Sequence, residues 1–161
     1  MKHRILVATL AASLLLNAWL VLGPLHHATP ALADVAPTGE ELAPYMNHLQ
    51  RHAHKLGLSI QAKNKPAADF YLTELSETFE LVQKKFPSYD GYQVAALSKA
   101  MIDPAKPALT KALAASDWPT AAIAYDKYVA ACNNCHVAVK HEFIKITVPT
   151  GNPFNQSFAT K

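Results

Sequence analysis

Several things are scarce in this chain of 161 residues, and each scarcity closes off a class of function. There are five glycines, and they form neither a phosphate loop nor the elbow around a nucleophilic serine. No pair of carboxylates stands at a recognisable catalytic spacing, so hydrolytic chemistry has no support and the chain is not read as an enzyme. Charged residues make up only 17%, with a formal charge of +3. Setting aside Lys2 and Arg4 in a targeting segment, 13 basic side chains face 12 acidic ones. No basic stripe interleaved with aromatics is present, which speaks against nucleic acid as a partner. Strands are missing as well, since no stretch alternates with period two for long enough. Cysteine is rarest: Cys132 and Cys135 are the whole inventory.

Hydrophobic residues, by contrast, are half of the chain, and the length suits one domain with one core. The N-terminus carries an export pattern. "MKHR" is a short basic region, Ile5–Leu22 is free of charge, and Gly23-Pro24 ends the apolar run. Small residues at Ala31 and Ala33 predict a signal peptide over 1–33, cut before Asp34. An uncleaved anchor is the competing expectation, because the run sits at the lower edge of the ~18–20 residues that span a bilayer. Membrane association is expected only in that case. Either way the rest of the chain lies outside the cytoplasm, in the periplasm of a bacterium.

Apolar residues then recur at helical spacing. Met46, Leu49, Ala53, Leu56 and Ile60 form one stripe, with Pro44 suited to the first turn and Gly57 a mild weakness inside. Asn64 is a predicted cap for a second helix carrying Ala68, Leu72, Leu75, Phe79, Val82 and Phe86. "FPSYDGY" breaks the chain. A third region runs from about Gln93 to Ala115, interrupted by Pro104 and Pro107, with Asp103 a candidate new cap. Asp117-Trp118-Pro119 starts a fourth, whose stripe is Trp118, Ala122, Tyr125, Val129, Cys132, His136, Val139 and Phe143. The expectation is an all-α fold: an antiparallel four-helix bundle over 34–146, with an irregular tail at 147–161. The tail is either disordered or pinned over the bundle by Phe154 and Phe158. Phe70, Phe79, Phe86, Tyr125 and Phe143 are expected in the core.

Four chemistries compete for "CNNCH" at 132–136. A thioredoxin-type dithiol needs a strand feeding the helix, and the chain offers none. Zinc needs about four ligands, and three cluster here. A disulfide across one helical turn is strained. Covalent haem c fits best: thioethers at Cys132 and Cys135, and His136 as an iron ligand. Two thiols a turn apart reach both vinyl groups on one porphyrin edge. Cys132 and His136, four apart, share a helix face, so tether and ligand point the same way.

A helical chain with CxxCH near its C-terminus resembles the class II c-type cytochromes, of which cytochrome c prime is the best-known kind. The likeness covers about residues 40–145 by topology. Ala130 and Ala131 resemble the small residues before the motif, and Lys140 matches a basic position beside the proximal haem face. Val139 departs from the aromatic usual there, which implies a differently shaped proximal pocket. Aligning Leu56-Gly57 with a similar pair in that family puts Gln50 where a propionate-binding glutamine sits and turns Ala53 toward the iron. Pairing of two copies through the first two helices is implied by resemblance only.

The sixth iron position is less legible. By helical arithmetic Met46 lies inside the first stripe, His52 about 80° from its centre, and His48 and His54 about 120° away. Met46, His52 and His54 are therefore the candidate distal ligands, with ordinary boundary or solvated roles for each histidine as the plain alternative. His48 and His52 have the spacing of a metal pair but lack a third ligand. His141 is expected to point away from His136. Two functions follow: electron transfer through a six-coordinate haem, or binding of nitric oxide or another small gas at a five-coordinate one. Lys55, Lys63, Lys65, Lys84 and Lys85 can dock an acidic redox partner protein or simply be solvated. A metal-free helical interaction domain is the third reading.

Overall fold

The computed structural model describes residues 39–160, so the expected export signal and cleavage point lie outside the described residues. Among the described residues the fold is all-α, without a strand, and none of its helices is long and apolar enough to cross a membrane. Five α-helices follow one another: α1 (Ala43–Gln61), α2 (Lys65–Lys85), α3 (Val94–Met101), α4 (Lys106–Ala114) and α5 (Trp118–Ala138). A 3-10 turn over Asp103–Ala105 joins α3 to α4, so the two prolines divide the third helical region. Asp103 is the first residue of that turn, and no side chain caps either piece there. It does not serve as the expected cap.

The first two stripes are where the periodicity puts them. Leu49, Ala53, Leu56 and Ile60 are buried on α1, with Met46 half-buried against the same core. Ala68, Leu75, Phe79, Val82 and Phe86 are buried from α2, and Tyr71 joins them. Asn64 caps α2, its Oδ1 accepting from the Ala67 N–H at 3.2 Å. Asp117 does the same for α5 through Thr120, also at 3.2 Å. Tyr45 meets Phe86 edge-on at 5.2 Å and Lys85 bonds Glu40, tying the start of α1 to the end of α2. Asp90 and Gly91 both take positive φ in a tight turn where Tyr89 and Tyr92 exchange two hydrogen bonds.

The last helix is rotated from its expected face. Ala121, Ala124, Tyr125, Tyr128, Val129 and Ala131 are buried, whereas Ala122 is exposed. The helix ends at Ala138, so Phe143 never joins the stripe and is 77% exposed. Phe70 is 54% exposed. Both were expected in the core, but spacing reports which residues share a face and not whether that face is covered.

Three helices end the same way. Lys63, Ser116 and Lys140 take positive φ after α1, α4 and α5, each followed by a residue whose N–H bonds the carbonyl five back. This is the Schellman closure, which favours glycine at the left-handed position. A chain poor in glycine uses lysine and serine there instead.

The C-terminal tail is irregular but fastened. Asn133 holds Ile146 by two hydrogen bonds of 2.8 and 2.9 Å. Gln61 donates to the Pro149 carbonyl, His54 Nε2 to Gly151, and Asn64 Nδ2 to Phe158. Gln156 accepts from both Lys55 and Tyr71. Phe158 and Pro149 are buried, so the pinned alternative describes the tail.

Candidate haem attachment site

Cys132, Cys135 and His136 occupy the last turns of α5, all partly buried. Burial, together with the neighbouring Cys135, pushes the Cys132 thiol up to about 12, and burial raises Cys135 as well. Both sulfurs are held as neutral thiols, the opposite of the lowered pKa that marks a redox dithiol. Among the described residues no three His, Cys, Asp or Glu side chains converge as a metal-binding group.

His136 is oriented by the chain that follows it. Its Nδ1 lies 2.7 Å from the Ile144 carbonyl oxygen. A carbonyl can only accept, so Nδ1 carries the proton and Nε2 keeps its lone pair for a ligand. The Ile144 carbonyl is itself held. Lys140 turns the chain at φ +58, the Ile144 N–H bonds His141, and Asn133 clamps Ile146. Asn133 was not singled out from the sequence, although two consecutive asparagines inside a helix are a signal, because that residue favours caps and turns. His141 bonds its Nδ1 to the Val139 carbonyl and packs beside Phe143.

The stretch after the motif is exposed and mixed in character, with Lys140, Glu142 and Lys145 among its apolar residues. Val137 is 60% exposed, Phe143 77% and Ile144 43%, all within eight residues of His136. One face of α5 deeper in the fold is aromatic: Tyr125 donates to the Ala53 carbonyl at 2.8 Å, and Tyr128 packs edge-on to Phe79. The donor set, two thiols one turn apart and an imidazole with a free Nε2, is of the kind that tethers and ligates a haem.

The candidates on α1 are sorted by their neighbours. Met46 is half-buried against the core. His52 lies beside Tyr71 of α2, ring centroids 6.3 Å apart, with Nδ1 buried and unpartnered among the described residues. His54 is committed to the tail, through the Gly151 carbonyl and an edge contact with Phe154. His48 and Gln50 are exposed, and Lys140 is an exposed helix-ending residue. Among the lysines considered for docking, Lys55 bonds Gln156, Lys65 pairs with Asp69, and Lys85 pairs with Glu40. Two open hollows, about 390 and 340 Å³, lie elsewhere, lined by Arg51, Lys55 and Phe154, and by Glu40, Pro44 and His48. Comparison with family models, with curated proteins and with solved structures finds no match for this chain.

Proposed function

We propose that this protein is a periplasmic monohaem c-type cytochrome that carries electrons between redox partner proteins. On this reading Cys132 and Cys135 hold one haem c by thioethers, and His136 Nε2 is the proximal iron ligand. When bound, the haem iron supplies a one-electron couple whose potential follows from its axial ligands and burial. The observation that carries the reading is the fixed imidazole. His136 Nδ1 donates to Ile144, so the ring is turned and its tautomer set before any metal arrives. Exposed Val137, Phe143 and Ile144 close in sequence to His136 support it, as apolar side chains that a flat cofactor could cover.

The helices are read as an antiparallel four-helix bundle, α3 and α4 together forming one member, similar to the class II c-type cytochromes. In that arrangement α1 and α5 run in opposite directions. Tyr125 bonds the backbone at Ala53, so seven residues on and seven back set Cys132 level with Met46. Met46 is therefore the favoured distal ligand. His52 is turned to α2 and His54 to the tail, which weakens both alternatives. A His–Met iron changes oxidation state with little rearrangement, as a carrier needs.

The second reading is a five-coordinate haem that binds nitric oxide or another small gas. It is the resemblance that turns Ala53 toward the iron, an alanine there leaving the distal side without a ligand; the Tyr125 contact sets Ala53 about two helical turns from the level of Cys132 and so favours Met46. Export through a host with cytochrome maturation machinery tests both. The expected result is a covalent haem mass with sharp low-spin spectra in both oxidation states. A high-spin spectrum that shifts with carbon monoxide would replace the carrier with the gas binder. A chain with free Cys132 and Cys135 thiols would remove both and leave a helical interaction domain.

A further inference from the structure

Two asparagines stand side by side inside the cysteine–histidine motif, and the fold treats them differently. Asn134 is exposed, whereas Asn133 is half-buried. Asn133 Nδ2 donates to the Ile146 carbonyl at 2.9 Å, and its Oδ1 accepts the Ile146 N–H at 2.8 Å. A carboxamide carries both a donor and an acceptor, so it can match the two backbone groups of one residue at once. Two residues earlier in the same segment, the Ile144 carbonyl accepts from His136 Nδ1 at 2.7 Å. Positions 133 and 136 are three apart and neighbours on the helix surface. The chain over 144–146 therefore runs back beside the last turns of α5, held at residue 146 by Asn133 and at residue 144 by His136. Ile146 also packs half-buried against the core. The next tail fastening is three residues further on, where Gln61 donates to the Pro149 carbonyl.

We propose that Asn133 is a positioning residue for His136: by clamping Ile146 it keeps the Ile144 carbonyl within bonding distance of Nδ1, and through that bond sets how strongly Nε2 donates to the haem iron. The proposal rests on the haem reading above. It gives a role to a position between the two cysteines whose identity the attachment chemistry leaves free. Tethers at Cys132 and Cys135 leave the imidazole able to turn about its own side-chain bonds. The Ile144 carbonyl restrains that turn, and the amide pair at Ile146 restrains the carbonyl. A carbonyl held close to Nδ1–H makes the ring a stronger donor, which favours ferric iron and lowers the midpoint potential. Releasing the clamp weakens the bond and raises the potential.

The experiment compares wild-type holoprotein with Asn133→Ala, Asn133→Gln and, as a control, Asn134→Ala. In Asn133→Ala the ferric–ferrous equilibrium is expected to move up to about tenfold toward ferrous iron, a midpoint about 59 mV higher. The His136 Nδ1 proton, followed by NMR of the reduced protein, is expected to exchange with solvent about tenfold faster. Asn133→Gln keeps both amide groups on a longer arm and is expected to fall between wild type and Asn133→Ala in both readouts. Wild-type values of both in Asn133→Ala and Asn133→Gln overturn the proposal. An equal shift in Asn134→Ala overturns it too, by making the effect one of the helix end at large. A wild type without a covalent haem mass sinks the haem reading, and the iron's share of the proposal with it. The hold on the ring is then read separately, from the ring nitrogen signals of neutral His136 in the full chain. The expected result is the Nδ1–H form in wild type and a mixture with Nε2–H in Asn133→Ala, and an unaltered ring would show that Asn133 does not position it.

Discussion

Tyr125 reaches from α5 to the backbone of α1 and passes directly over Gly57. Its hydroxyl donates to the Ala53 carbonyl at 2.8 Å, and a methyl built on Gly57 would lie 2.7 Å from the same oxygen. That methyl would also lie 2.8 Å from the ring of Pro149 in the tail. Gly57 thus admits two elements at once, the last helix and the strap that follows it.

Gly57→Ala is therefore expected to destabilise the protein, against the ordinary preference of helices for alanine. Propensity favours alanine by about 1 kcal/mol. Overpacking of a close contact costs about 1–3 kcal/mol, and backbone-anchored neighbours on both sides leave little room to yield. The expected outcome is a net loss of about 1–2 kcal/mol in urea unfolding. Repeating the change in a Tyr125→Phe background should shrink the loss, because the nearer obstacle is gone. Equal losses in both backgrounds would assign the strain to Pro149 alone.

Non-glycine residues at the left-handed helix ends supply the opposite kind of prediction. Ser116 and Lys63 are exposed at φ +53, where a side chain meets its own backbone. Ser116→Gly relieves that strain of about 1–2 kcal/mol and returns part of it as unfolded-chain entropy. The net gain expected is about 0.5–1 kcal/mol, seen as a thermal midpoint a few degrees higher. Lys63→Gly should behave alike. A lower midpoint for both would mean that the side chains contribute contacts beyond the turn.

The sequence made the helices legible where burial is one-sided. The α1 and α2 stripes, the Asn64 cap and the proline break at 104 and 107 all follow from local chemistry. It was less informative about α5, where small and aromatic residues surround the whole helix and Tyr128 looks no more buried than Ala122. Phe143 shows the limit of periodicity, because the stripe runs on past a helix that stops at Ala138. The cysteine–histidine spacing was plain from three residues. What orients His136 was not, since Ile144 acts through a carbonyl that any residue would supply, and the Asn133 side chain holds Ile146 in a tail that carries no periodic pattern. His54 shows the same limit, for nothing in its helical position announces Gly151 nearly a hundred residues away.

His52 should make stability depend on pH. Burial lowers its pKa below the ordinary 6.5, Glu74 opposes this more weakly, and His48, Lys55 and Arg51 add to the lowering. The folded state thus binds fewer protons than the unfolded chain between the depressed value and 6.5. This contribution is fully present above 6.5 and is lost as pH falls through that window. Urea midpoints measured from pH 7.5 downward should decline once the pH falls below 6.5. His52→Gln should flatten the decline, and an unaltered slope would place the responsible proton elsewhere.

The sharpest prediction concerns Met46, because it separates the two readings of the distal side. If Met46 is the sixth ligand, Met46→Ala converts the low-spin ferric spectrum to high-spin and opens the reduced protein to carbon monoxide. His52→Ala and His54→Ala should leave the low-spin bands in place, since those rings are engaged with Tyr71 and with the tail. Met46→His keeps two strong axial donors, so it should stay low-spin while lowering the midpoint potential, a thioether holding the iron at higher potential than a second imidazole does. A Met46→Ala variant that remains low-spin, paired with a His52→Ala variant that does not, would require α1 to be rotated by roughly a third of a turn when haem is bound. A wild type already high-spin would make Met46 a core residue and hand the function to the open iron.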